Sequence, residues 1–154
     1  MNNISKHISA RSLHRLLEII FVQVGPYTLL IDIDYVAEIR GPEPRVCAGG
    51  RTEVKIRGTK IPVIQLESSL ELPPKDSDYP AMLLVFLQGK MRALGIDSVG
   101  DIVTLPHGAL KPILDKNAAL LRVCTFEATI DNATAPVLDF SKLQMLERAT
   151  DKRS

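Results

Sequence analysis

The sequence predicts a mainly β protein, a barrel or a sandwich of many short strands. Three observations predict it. Short apolar or alternating runs recur at regular spacing, and turn signals such as Gly25-Pro26, Gln88-Gly89 and Asp131-Asn132 stand between them. Residues 54–66 (VKIRGTKIPVIQL) read as a tight hairpin, with Val54 and Ile56 alternating with Lys55 and Arg57. Residues 81–87 (AMLLVFL) form an unbroken apolar run, suited to a strand buried on both faces.

Taken in order, residues 4–20 carry Ile8, Leu13, Leu16, Leu17 and Ile20 at helical spacing, with Arg11, His14, Arg15 and Glu18 on the other face. This predicts an N-terminal helical leader over 1–20, packed on the body of the protein or serving as a docking helix. Phe21–Val24 and Tyr27–Ile33 read as strands. Asp34 reads as the cap of a short helical turn through Val36, Ala37 and Glu38, because its carboxylate can accept orphan backbone N–H groups. Residues 41–52 hold Gly41, Pro42, Pro44, Gly49 and Gly50 and read as a loop. In the hairpin that follows, Gly58 supplies the permissive backbone of the reversal. Pro62 cannot donate a ladder hydrogen bond, so it belongs near a strand start, a bulge or an edge. Arg57, just before the turn, is expected to project its guanidinium at the rim.

Ser68–Leu72 read as one helical turn, stopped by Pro73-Pro74, and the polar, proline-rich residues 73–80 as the boundary between two halves. The rhythm then repeats. Strands are expected over 81–87, 91–96, 99–105, 120–130 and 135–140, with a loop over 106–116. Ser141 reads as the N-cap of a final helix carrying Leu143 and Leu146, and residues 147–154 as a flexible polar tail.

Composition narrows the function. With 19 basic and 18 acidic residues the formal net charge is +1, which argues against the basic stripe of a nucleic-acid binder. No apolar run reaches the ~18 residues of a membrane span, and the start lacks the pattern of a secretory signal. Cys47 and Cys124 stand far apart and make no disulfide framework; a reducing cytoplasm is the simplest setting. Candidate chemistry is thin. His7, His14 and His107 are scattered, and no metal-ligand spacing occurs, so neither metal nor cofactor is expected. A Cys124–His107 nucleophile and base is outweighed by core packing of a mid-strand cysteine. Asp32, Asp34 and Glu38, and Asp97 with Asp101, lie at strand ends and turns, where caps and solvated faces account for them. Gly49-Gly50 lacks the Lys-Ser/Thr of a phosphate loop. What remains is a scaffold with apolar anchors. Tyr35, Val36 and Ile39 surround one short turn and cannot all point inward.

The pattern V-x-I-R-G-x-x-I-P-V-I-x-L resembles the signature hairpin of the CheW-like family of chemotaxis coupling proteins. Leu29–Gly41 (LLIDIDYVAEIRG), Leu94–Leu105 (LGIDSVGDIVTL) and Pro136–Leu143 (PVLDFSKL) resemble three further family segments in the right order, so the resemblance covers roughly 20–146. It implies two small five-stranded SH3-like barrels in approximate two-fold relation, within a domain over 21–146 whose intertwined subdomains meet near 73–80. It also implies a non-enzymatic, cytoplasmic adaptor bridging a chemoreceptor tip and the regulatory domain of a CheA-type histidine kinase. Partner-binding positions then fall on Ile33, Val36, Glu38, Arg57, Gly58 and Ile102, and Val36→Asp is expected to weaken binding. The chain departs from the family in a shorter 41–53 loop, in Gln65 where aspartate is usual, and in lacking a glycine within 120–128. These departures suit a member from a type IV pilus or other chemosensory pathway, or a repurposed scaffold. A small-molecule-binding or enzymatic barrel is the competing class, and an SH3-like nucleic-acid module the third.

Overall fold

The computed structural model describes residues 16–153. Twelve strands fall in two six-stranded sheets among the described residues. The strands are β1 (Leu16–Val24), β2 (Tyr27–Asp32), β3 (Val36–Arg40), β4 (Arg45–Ala48), β5 (Arg51–Ile56), β6 (Thr59–Ile64), β7 (Ala81–Leu87), β8 (Lys90–Ile96), β9 (Ser98–Pro106), β10 (Lys111–Pro112), β11 (Cys124–Ile130) and β12 (Ala133–Leu138). The helices are α1 (Leu66–Ser69), α2 (Ala118–Leu121) and α3 (Phe140–Arg153). The first sheet runs β10-β11-β12-β2-β1-β9 and the second β3-β7-β8-β6-β5-β4. The extra members beyond the five-stranded expectation are the short edge strands β4 and β10.

Both sheets must curl. A flat six-stranded sheet sets its edges about 24 Å apart. Yet β3 and β4 are joined by residues 41–44 alone, and β9 and β10 by residues 107–110. Five Cα steps span at most about 18 Å. Each short connection therefore draws two edges of its sheet together.

Curling creates an inside and an outside, and both are apolar. Leu17, Ile19, Leu30, Leu105, Ala128 and Ala135 fill the first sheet. Val54, Ile56, Ile61, Met82, Leu84 and Ala93 fill the second. A third cluster lies between them: Ile20, Val22, Leu29 and Ile31 from one sheet meet Leu83, Val85, Leu94 and Ile96 from the other. This accounts for the unbroken run in β7, whose residues alternate between the interior of their own sheet and the shared core. It also corrects the expected leader helix. Residues 16–20 belong to β1, and Leu17, Ile19 and Ile20 are buried on its two faces. A strand covered on both sides loses its alternation and imitates helical spacing. Residues 1–15 of the expected helix lie outside the described residues, as does Ser154 of the expected tail.

The two sheets follow one plan. In each, a hairpin (β7–β8 or β1–β2) is flanked on one side by an antiparallel edge strand and on the other by a parallel neighbour. Each edge ladder has a register shift that adds one residue to the edge strand, between Val36 and Glu38 on β3 and between Val99 and Ile102 on β9. The ends of β6 and β12 match: Ile61-Pro62-Val63-Ile64-Gln65-Leu66 enters α1, and Ala135-Pro136-Val137-Leu138-Asp139-Phe140 enters α3.

Several local expectations are corrected. Asp32, not Asp34, caps the turn after β2: its carboxylate accepts from the Asp34 N–H, and the 3₁₀ turn spans Ile33–Tyr35. Val36–Glu38 are extended. The expected loop over 41–52 contains β4, because Gly49-Gly50 close a hairpin with β5. The helical turn after β6 begins at Leu66, not Ser68. Residues 118–121 are helical under the cap of Asn117, and β11 begins only at Cys124. Asp139, not Ser141, caps the last helix, accepting from the N–H groups of Ser141 and Lys142 at 2.9 and 3.3 Å. That helix continues through the expected tail to Arg153. Residues 73–80 connect α1 to β7 within the second sheet, so the chain changes sheet elsewhere, at 33–35 and at Asp97. No described helix is long and apolar enough to cross a membrane.

Candidate interaction surface

The predicted hairpin is formed by β5 and β6, with Ile56 opposite Thr59 and Arg57-Gly58 as the two turn residues. Both have positive φ, 50° and 81°, the twist that two-residue hairpin turns require. Gly58 adopts it without strain. Arg57 does not, since an L side chain disfavours that region by roughly 1–3 kcal/mol. An arginine in that conformation draws attention to its side chain.

That side chain is not free. Its guanidinium forks onto Glu38 of β3, Nη1 donating to Oε1 at 3.2 Å and Nη2 to Oε2 at 2.5 Å. Arg40 Nη1 also donates to Glu38 Oε1, at 3.0 Å, and its remaining donors grip Glu43. In a flat sheet β3 and the β5–β6 turn would lie several strands apart, so this fork is a product of the curl. The Arg57 fork and the nearby Arg40 hold the Glu38 carboxyl down to about 2. The same carboxylate raises the pKa of Arg57, and Glu43 followed by Glu38 raises that of Arg40.

The structure thus gathers Glu38, Arg57 and Gly58. It places the other expected residues differently. Val36 is half-buried and packs on the shared core, as does Val99 of β9. It contributes to packing, while Ile39 of the same strand is 49% exposed. Ile33 is half-buried in the 3₁₀ turn just after Asp32, which lies opposite Ile19; Ile102 lies opposite Ile20 from the other side of β1. The two sit about two strand spacings apart, ~10 Å. Ile102 is itself 49% exposed. Tyr35, partly exposed, stacks on the buried Phe140 ring with centroids 4.1 Å apart.

Arg40 and Glu43 were not among the expected residues. The alternation Glu38-x-Arg40-x-x-Glu43 carried the signal, but assigning 36–38 to a helical turn hid the common face of Glu38 and Arg40. The candidate nucleophile has no support in the geometry. Cys124 is fully buried, burial pushes its thiol up to about 12, and His107 is exposed in a 3₁₀ turn. Asp32 serves as a cap. Asp97 accepts from the Gly25 N–H at 2.7 Å and pairs with Lys75, which holds its carboxyl below the usual range.

Comparison with known proteins agrees with this architecture. A search of curated proteins finds no match. Among solved structures, the scaffolding protein TtCheW from Thermoanaerobacter tengcongensis superposes with a TM-score of 0.69 at 16% identity, over 80% of this chain and 88% of that one. At that identity the likeness establishes the fold. The family model of the CheW-like domain matches residues 18–147, beginning inside β1 and ending inside α3. The chain belongs to the CheW-like domain family.

Proposed function

We propose that this protein is a non-enzymatic adaptor that couples chemoreceptors to a CheA-type histidine kinase. The observation that carries the reading is the Glu38–Arg57 fork, a solvent-facing charge pair fixed between β3 and the β5–β6 turn. Charges held in a fixed orientation at a surface give a protein partner its register and specificity. Family membership supports a chemotaxis scaffold; the kinase and the receptor tip are our assignment. Such an adaptor acts through differential contacts with two kinase states, not through turnover. It resides in the cytoplasm, held at receptor arrays by its partners.

Arg57 takes part in that contact with guanidinium donors left over from Glu38, because a fork offers five N–H groups and Glu38 engages two. Arg57→Glu is expected to abolish receptor-dependent kinase activation while the melting temperature stays close to that of the parent. Full activation by the folded variant would remove Arg57 from the interface. The decisive experiment is calorimetric titration of the protein with the regulatory domain of a CheA-type kinase from the same genome. Saturable micromolar binding supports the coupling role. Absence of binding overturns it and leaves a CheW-like scaffold with another partner.

A further inference from the structure

A second site shares no residue with the Glu38–Arg57 surface. Glu67, in the first turn of α1, is only 7% exposed. One carboxylate oxygen, Oε1, accepts from the Tyr79 hydroxyl at 2.8 Å. Tyr79 cannot follow the carboxylate elsewhere. Its ring lies directly over Gly95, where a Cβ would come within 2.4 Å of it. The second oxygen of Glu67 makes no hydrogen bond to the described residues, and no described buried side-chain oxygen lacks a partner. That oxygen is therefore not fully buried.

Glu67 lines a cavity of about 260 Å³. Leu72, Pro73 and Pro74 give it apolar walls, and Lys75 and Asp97 complete its charged part. The ammonium of Lys75 is engaged by Asp97. Two carboxylates against one ammonium leave one negative charge in the lining, and the geometry leaves it on Glu67. A carboxylate this buried, whose second oxygen has no partner among the described residues, favours a cation. The cavity falls below the roughly 300–1,000 Å³ of small-ligand sites, so it suits a single side chain. Flat proline walls favour a planar, weakly hydrated guanidinium over a compact, strongly hydrated ammonium.

We propose that this pocket receives an arginine side chain of a partner protein, with Glu67 as its counter-ion and Leu72, Pro73 and Pro74 against its stem. The test is a titration of the isotope-labelled full chain with Nα-acetyl-L-arginine methylamide, followed at the amides of Gly25, Leu72 and Lys75. The citrulline analogue, equal in shape and uncharged, is the control. The arginine probe is expected to saturate these shifts at about millimolar concentration, and the citrulline probe to leave them unmoved. Glu67→Gln keeps an acceptor for Tyr79 and is expected to weaken binding about tenfold. Lys75→Ala removes the competing ammonium from Asp97 and is expected to tighten it. No shift with arginine, equal shifts with citrulline, or unchanged affinity in Glu67→Gln overturns the proposal. Should Glu67→Gln not fold, unchanged or weaker binding by Lys75→Ala does the same.

Discussion

Arg57 holds a turn position that glycine or asparagine fills at less backbone cost, and it is oriented there by Glu38. If Glu38 acts by aiming Arg57, the two side chains work as one unit. Glu38→Ala and Arg57→Ala should then each lower receptor-dependent kinase activation, and the double variant should lose no more than the worse single one. Additive losses would show two separate contacts. The fork also sets a pH signature. Because the Glu38 carboxyl is held near 2 in the folded chain, its pairing is intact above the ordinary carboxylate range and is lost only as pH falls through about 2. A carboxyl carbon titration is expected to place the Glu38 midpoint there, and Arg57→Ala to move it up toward 4.5. A midpoint unmoved by that substitution would mean the fork does not form in solution.

Among elements, the hairpins were the most legible. Arg57-Gly58, Gln88-Gly89 and Asp131-Asn132 all turn through positive φ, and each stands where turn residues interrupt apolar runs. The N-terminal half of β1 was illegible because both of its faces are covered, and β4 because its four residues lie among prolines and glycines. The surface was half legible. The family pattern pointed to Arg57 and Glu38, but only the curl of the second sheet reveals that they touch. The matched ends of β6 and β12 explain a further contrast. Asp139 caps α3 and accepts from the Thr125 hydroxyl at 2.6 Å. Its counterpart Gln65 instead donates to Thr52 at 3.2 Å and leaves α1 without a side-chain cap. Restoring aspartate should recover both interactions. Gln65→Asp is expected to raise unfolding free energy by about 0.5–2 kcal/mol in urea titrations. A lower midpoint would indicate that repulsion from Glu67 dominates.

For the whole molecule, the shared core makes the two sheets one cooperative unit. Leu83 is fully buried between them. Leu83→Ala should cost about 2–5 kcal/mol. Amide exchange should quicken in β1 and β2 as much as in β7 and β8. Loss confined to the second sheet would show that the halves unfold separately.

The shared plan of the sheets has one more consequence. In the second sheet the order β3, β4, β5, β6, α1 leads directly into β7 and β8. In the first, β9, β10, β11, β12, α3 finds its completing hairpin at the other end of the described chain, in β1 and β2. Read from Val36 onward and rejoined through Leu16, the strands would spell two consecutive copies of one unit. The connectivity is that of a tandem duplication entered at a rotated starting point. A circular permutant opened at the 3₁₀ turn, with α3 linked to β1, is therefore expected to regain the parent's far-ultraviolet spectrum.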